Sequence, residues 1–228
     1  MPSKARKALS ENLNDIDKLL ELHASEGGNG RGRRYDLEVL NKSAIVLICS
    51  YWEAYCEDIA EEALEHILAH SLTSDTLPLE IKKMISKELK KDNNELSVWE
   101  VADGKWKQYL SARLEALKEE RNRRLNTPKS SNIDDLFEKS IGLKNISSKW
   151  KWAKKLTVEG ARDKLDKFIE LRGEIAHRGK SANSVKKIQV TDFRQFIENL
   201  AAKTGGSVNA HVKSVTGKPL WESTKKAL

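Results

Sequence analysis

Apolar residues return in this chain at a period near 3.6 almost from end to end, and that property restricts the fold more than any other. Leu9, Leu13, Ile16, Leu20 and His23 mark one helix face, which the polar run GGNGRGRR, residues 27–34, brings to an end. From Asp36, a capping residue type, a second helix is expected to run to about Ser71. Leu37, Leu40, Ala44, Leu47, Ile48, Tyr51, Tyr55 and Ile59 form its stripe. Its AIVLIC stretch is apolar all round, so this helix is expected at the centre of a bundle.

Pro78 introduces a shorter helix with Ile81, Met84, Ile85 and Leu89, which KKDNN interrupts. Trp106, Tyr109, Leu110, Leu114 and Leu117 pattern another, which ends in the basic EERNRRL. NTPKSSN, residues 126–132, reads as a loop and IDDLFEKSIGL as a short helix stopped by Gly142. SSKWKWAKKL fits an extended segment or a loop equally well. Thr157 caps a further helix that Gly179 terminates. The last helix starts at Thr191, carries Phe193, Phe196, Ile197 and Leu200, and is expected to break at Gly205 and Gly206, with a weaker segment to Val215.

No repeat, long linker or strand series interrupts this pattern, so the fold class is all-α: one helical domain over residues 1–228. Its core covers about 36–204, and 205–228 form a C-terminal extension in which Trp221 argues for packing onto the bundle.

Composition narrows the function classes. With 39% hydrophobic and 33% charged residues, the chain suits a soluble helical protein. Its longest apolar run, Ala44 to Cys49, is far short of the ~20 residues that cross a bilayer. The N-terminal stretch lacks the apolar segment of a secretory signal, so a cytoplasmic protein with no membrane partner is expected. Cys49 and Cys56 stand seven apart, roughly 10 Å along a helix, too far for a disulfide. A net charge of +7 and a pI near 9.2 suit a polyanionic partner without requiring one.

Chemistry concentrates in LRGEIAHRG, residues 171–179. At 3.6 residues per turn, Ala161, Leu165, Phe168, Ile169, Arg172, Ile175 and Ala176 share a face, which puts Arg172 in the core-facing stripe. A buried guanidinium needs a carboxylate, a phosphate, a partner subunit or a wet cleft, because unpaired it costs several kcal/mol. His177 lies roughly 140° away around the helix, on the side of Asp166, Glu170 and Glu174. For both side chains to reach one ligand, either the helix distorts at Gly173 or two copies of the chain each supply one. An imidazole at a helix C-terminus suits proton transfer, and a permanently charged guanidinium suits a phosphorane. Arginine–histidine spacing alone arises by chance about once in a chain of this composition, so the pair reads equally as a structural arginine and a surface histidine.

These residues resemble a known family. RGEIAH, residues 172–177, is similar to the Arg-x4-6-His motif of the HEPN superfamily. SYWEAYCEDIAEEAL, NTPKSSNIDDLFEKSIGL and the closing IAHRG resemble its RiboL-PSP-HEPN branch, over about Asp36 to Leu200. The resemblance implies a helical bundle and, in active members, metal-independent and cofactor-independent RNA cleavage by the ribose 2′-hydroxyl, leaving a 2′,3′-cyclic phosphate. On this sequence it implies His177 for proton transfer, Arg172 for the phosphorane, and Arg178 and Lys180 as RNA contacts. It also implies RNA as substrate, a homodimer with a composite cleft, and a toxin or defence effector restrained by a cognate inhibitor protein. Where the family usually has Asn, Asp or His after the arginine, this chain has Gly173, which implies either weaker catalysis or an orienting role that passes to Glu174 or another residue. The alternative is a non-catalytic helical module that binds RNA or protein and uses Arg172 structurally.

Other chemistry is thin. His66 and His70 sit one turn apart with Glu62 a turn earlier, a metal-capable spacing that lacks an obvious third ligand and fits exposed histidines better. KWKW, residues 149–152, resembles a basic aromatic surface for single strands, and GRGRR and RNRR are candidate phosphate contacts.

Overall fold

The computed structural model describes residues 2–27, 37–91, 104–119, 127–178 and 184–222, together with Leu96, Trp99, Val101 and Leu125. Among them are seven α-helices and no strand: α1 (Lys4–Gly27), α2 (Glu38–His70), α3 (Leu79–Leu89), α4 (Trp106–Glu119), α5 (Ser130–Ile141), α6 (Val158–Arg178) and α7 (Lys187–Thr216). The all-α expectation holds. Asp36 and Gly179, the expected start and stop residues, lie outside the described residues, as do the clusters GRGRR and RNRR.

α2 is the hub, and its composition explains why. Ala44, Ile45, Ile48, Cys49, Trp52, Tyr55, Cys56, Ile59, Ala63 and Leu64 are all buried, and they cover a face more than half-way around the helix. So wide a buried face needs several helices to cover it, and α1, α4, α5, α6 and α7 do so, while Ser50 marks the side left to solvent. Each buried aliphatic or aromatic side chain contributes roughly 1.5–3 kcal/mol to that packing. α1 contributes Ala5, Leu9, Leu13 and Ile16 from one face, and Glu62 of α2 accepts from the backbone N–H groups of Lys4 and Ala5 at its start. That carboxylate satisfies helix-end donors that would otherwise lack partners.

α7 does not break at Gly205 and Gly206; it is one helix of 30 residues. A Cβ at Gly205 would stand 2.8 Å from the Tyr55 hydroxyl, so the glycine permits close approach of α7 to α2. The Tyr55 hydroxyl in turn donates to the Ala201 carbonyl at 2.8 Å. Trp221 returns onto the same helix, exchanging two hydrogen bonds with the Asn209 side chain, as its expected packing required.

α5 begins at Ser130, inside the stretch expected as a loop, because Asp166 of α6 supplies its cap from outside: the Ser130 N–H and hydroxyl both donate to that carboxylate, at 2.8 and 3.1 Å. Gly142 stops α5 in the left-handed conformation (φ 73°), as expected. SSKWKWAKKL is not a strand, and Trp150 is not open to stack on a base. It enters as a 3-10 turn, Ile146–Lys149, and Trp150 is fully buried, with its indole N–H donating to Thr204 at 2.9 Å and its ring edge on Trp52. Trp152 packs on Phe196. The Ser147 hydroxyl donates to Asp134 and accepts from the Arg162 guanidinium, which ties this turn to both α5 and α6.

Candidate functional site

α6 carries the motif, and its start follows from local chemistry: the Thr157 hydroxyl accepts from the Gly160 N–H at 2.9 Å. Ala161, Leu165, Ile169 and Ile175 are buried at the spacing read from the sequence. Phe168 is half-buried, stacked on Phe193 with ring centroids 3.9 Å apart. Arg172 is half-buried within this stripe, as expected, whereas Ala176 is exposed. α6 remains α-helical through Gly173 to its end, so a distortion there does not bring Arg172 and His177 together.

Three contacts give the direction of α6. Trp150, just before it, meets Trp52; the Cys49 thiol lies 3.9 Å from the Phe168 carbonyl; and the Asn41 amide donates to the Val185 carbonyl, beyond its end, at 3.0 Å. α6 therefore runs antiparallel to α2. The Phe168 carbonyl is also the one that accepts the Arg172 N–H in α-helical register, so Arg172 enters at the level of Cys49. Helical side chains lean toward their own N-terminus, which here is toward higher-numbered residues of α2. Cys49, Glu53 and Glu57 stand there one turn apart along one face.

The electrostatics follow that ladder. Burial pushes the Glu53 carboxyl up to about 7, repulsion from Glu57 adds to the rise, and the Arg172 guanidinium opposes it. Burial likewise raises the Cys49 thiol to about 12, again opposed by Arg172, so it is a neutral, inert group. The arginine is thus close enough to the half-buried Glu53 carboxylate to oppose its rise. A carboxylate was one of the partners expected for a buried guanidinium, but periodicity alone could not name Glu53. The signal was the four-residue spacing of Cys49, Glu53 and Glu57 on α2.

His177 occupies the last turn of α6 and is exposed. It lies about 7.5 Å further along the axis and about 140° around it from Arg172, in the direction away from which the arginine side chain leans. Of the carboxylates expected on its side, Asp166 is committed to the α5 cap and Glu170 accepts from Lys129 at 2.7 Å. Glu174 is exposed one turn before the histidine. Beside Gly173 is open space: a Cβ there would meet nothing within 4 Å. Beyond the motif the chain is re-anchored on α2, where Glu38 accepts from the Ser184 hydroxyl at 2.9 Å and Val185 is buried. Lys180 and the side chain of Arg178, the expected RNA contacts, lie outside the described residues.

The histidine pair of α2 has a structural setting. His66 and His70 stack with centroids 4.1 Å apart, both half-buried rather than exposed, while Glu62 is engaged with the start of α1. Among the described residues no group of three His, Cys, Asp or Glu side chains is arranged to hold a metal ion. No helix among them is long and apolar enough to cross a membrane.

Compared with known proteins, the chain matches the sequence model of one family, RiboL-PSP-HEPN, over residues 8–209. That span takes in α1 and most of α7, beyond the stretch in which the resemblance was read. No curated protein and no solved structure matches the chain. A match over nearly the whole helical bundle, with the Arg-x4-His sequence on its sixth helix, makes this chain a member of the RiboL-PSP-HEPN family of the HEPN superfamily.

Proposed function

We propose that this protein is an endoribonuclease of the HEPN type, acting as a homodimer. The observation that carries the reading is the divergence of Arg172 and His177 on an unbroken α6 of a HEPN-family bundle: one half-buried in the α6 stripe, the other exposed at the helix end. A C2 dimer that packs these helix ends together supplies what one chain lacks, an arginine from one protomer beside the histidine of the other. In such a cleft the ribose 2′-hydroxyl attacks the adjacent phosphorus as the P–O5′ bond breaks. His177 takes the 2′-hydroxyl proton and a protonated imidazole returns one to the 5′-oxygen, a contribution of about 10²- to 10⁴-fold. Arg172 stabilises the phosphorane, a role of roughly 2.7–4 kcal/mol by analogy with oxyanion donors. Glu174 orients the site in place of the side chain missing at Gly173, with Arg178 and Lys180 on flanking phosphates. None of these roles needs a metal ion. By family, the reading extends to a cytoplasmic, growth-arresting effector in a toxin or defence system, with a cognate inhibitor protein as its partner.

The test is incubation with total RNA in EDTA. The wild type is expected to leave 2′,3′-cyclic phosphate ends, and His177→Ala to lower the rate at least 10²-fold with its fold intact. The second reading, a non-catalytic module that binds RNA or protein, is favoured by the Glu53 carboxylate near Arg172. RNA bound but left intact by the wild type selects it.

A further inference from the structure

α6 and α7 run antiparallel, because α6 opposes α2 while α7 follows it from the Asn41–Val185 bond to the Tyr55–Ala201 bond. Lys164 of α6 pairs with Asp192 of α7 at 2.7 Å, and Phe168 stacks on Phe193. Alongside these contacts the two helices leave an open groove of about 440 Å³, lined by Asp163, Lys164, Lys167, Phe168, Leu171 and Gln189. That volume is within the roughly 300–1,000 Å³ of ligand sites. Its lining is divided in character. Phe168 and Leu171 offer half-buried apolar surface, and Lys167 is an exposed cation. Gln189 accepts the Lys186 N–H through its Oε1 at 2.8 Å, so its amide nitrogen is the end that can donate to a ligand.

We propose that this groove binds single-stranded RNA beside the scissile site: Phe168 and Leu171 receive a base, Gln189 donates to its edge, and Lys164 and Lys167 hold the flanking phosphates. The inference deepens the ribonuclease reading and rests on it only in taking RNA as the ligand. Charge selects this occupant. Lys164 and Lys167 are three residues apart on α6 and so share a side of it. At the other wall, exposed Lys186 precedes α7, whose first turn holds no acidic residue. Asp192 is already matched by Lys164, which leaves Asp163 as the opposing charge in the lining. The groove also leads toward the motif. His177 follows Leu171 by six residues, roughly 9 Å along the helix and 120° around it, so one strand can reach both. Neither Arg172 nor His177 lines the groove. Its contribution is therefore affinity and choice of the flanking base, not chemistry.

The experiment uses the full chain in a His177→Ala background, which removes cleavage. The probe is a fluorescent, 2′-O-methyl single-stranded oligoribonucleotide, its affinity read by anisotropy over a series of salt concentrations. Lys167→Ala is expected to lower the slope of log Kd against log salt by about 0.7, and Lys164→Ala with Lys167→Ala by about 1.4, the values for one and two phosphates of a single strand. Leu171→Ala is expected to weaken binding about tenfold with the slope unchanged, because it removes apolar contact and no charge. Lys203→Ala, an exposed lysine of α7 outside the groove, is the control and is expected to leave the slope as it is. A slope that Lys167→Ala leaves unchanged, or that Lys203→Ala lowers equally, overturns the proposal. So does a parent chain that fails to bind the probe, including one that binds poly-glutamate through Lys167 instead, which assigns the groove to an acidic protein segment. RNA binding with the expected dependences but no cleavage by the wild type refutes the ribonuclease reading and leaves the groove standing; cleavage by the wild type with unaltered binding in the groove variants does the reverse.

Discussion

At the scale of single residues, Glu53 makes stability depend on pH. Its folded carboxyl titrates near 7 against an ordinary value of 4.5, so the folded protein holds a proton that the unfolded chain has released between those pH values. Stability from this group is fully present below about pH 4.5 and is lost as pH rises through 7. Glu53→Gln is therefore expected to match the wild type in urea unfolding at pH 4.5 and to exceed it at pH 8. Equal midpoints at pH 8 contradict this. Arg172→Ala removes the charge that opposes the rise, so its loss of stability is expected to be larger at pH 8 than at pH 5.

At the scale of elements, the close approach of α7 to α2 depends on Gly205. Gly205→Ala forces a methyl against the Tyr55 hydroxyl and strains its bond to Ala201, at an expected cost of about 1–3 kcal/mol in chemical denaturation. A change within 0.3 kcal/mol contradicts that role. Asp166→Asn weakens the cap of α5 and is expected to cost about 1 kcal/mol. These elements show what the sequence made legible. The hub helix, the α1 stripe, the Thr157 cap and the Gly142 stop follow from spacing and local chemistry, and all are present. The break at Gly205 was misread because local propensity disfavours glycine in a helix, and only Tyr55, far away in sequence, gives it a reason. KWKW was misread because alternation reports aromatic spacing but not that Thr204 waits for the Trp150 indole. For the same reason Arg172 and His177 were legible as a motif while Glu53, whose meaning comes from a neighbouring helix, was not.

At the scale of the whole molecule, the central claim is that one chain holds only half of a site. Arg172 is half-buried in the α6 stripe, His177 stands exposed at the end of α6, and α6 runs unbroken between them. The direct measurement is complementation. Arg172→Ala and His177→Ala chains, each inactive alone as homodimers, are co-expressed with different tags, and total RNA cleavage in EDTA is followed. If each site takes its arginine and histidine from different protomers, half of the dimers are mixed and each has one intact site of two. Activity is then expected to return to about a quarter of wild type. If purified mixed dimers are as inactive as either parent while wild-type dimers cleave, the two residues act within a single chain, and the composite site is wrong.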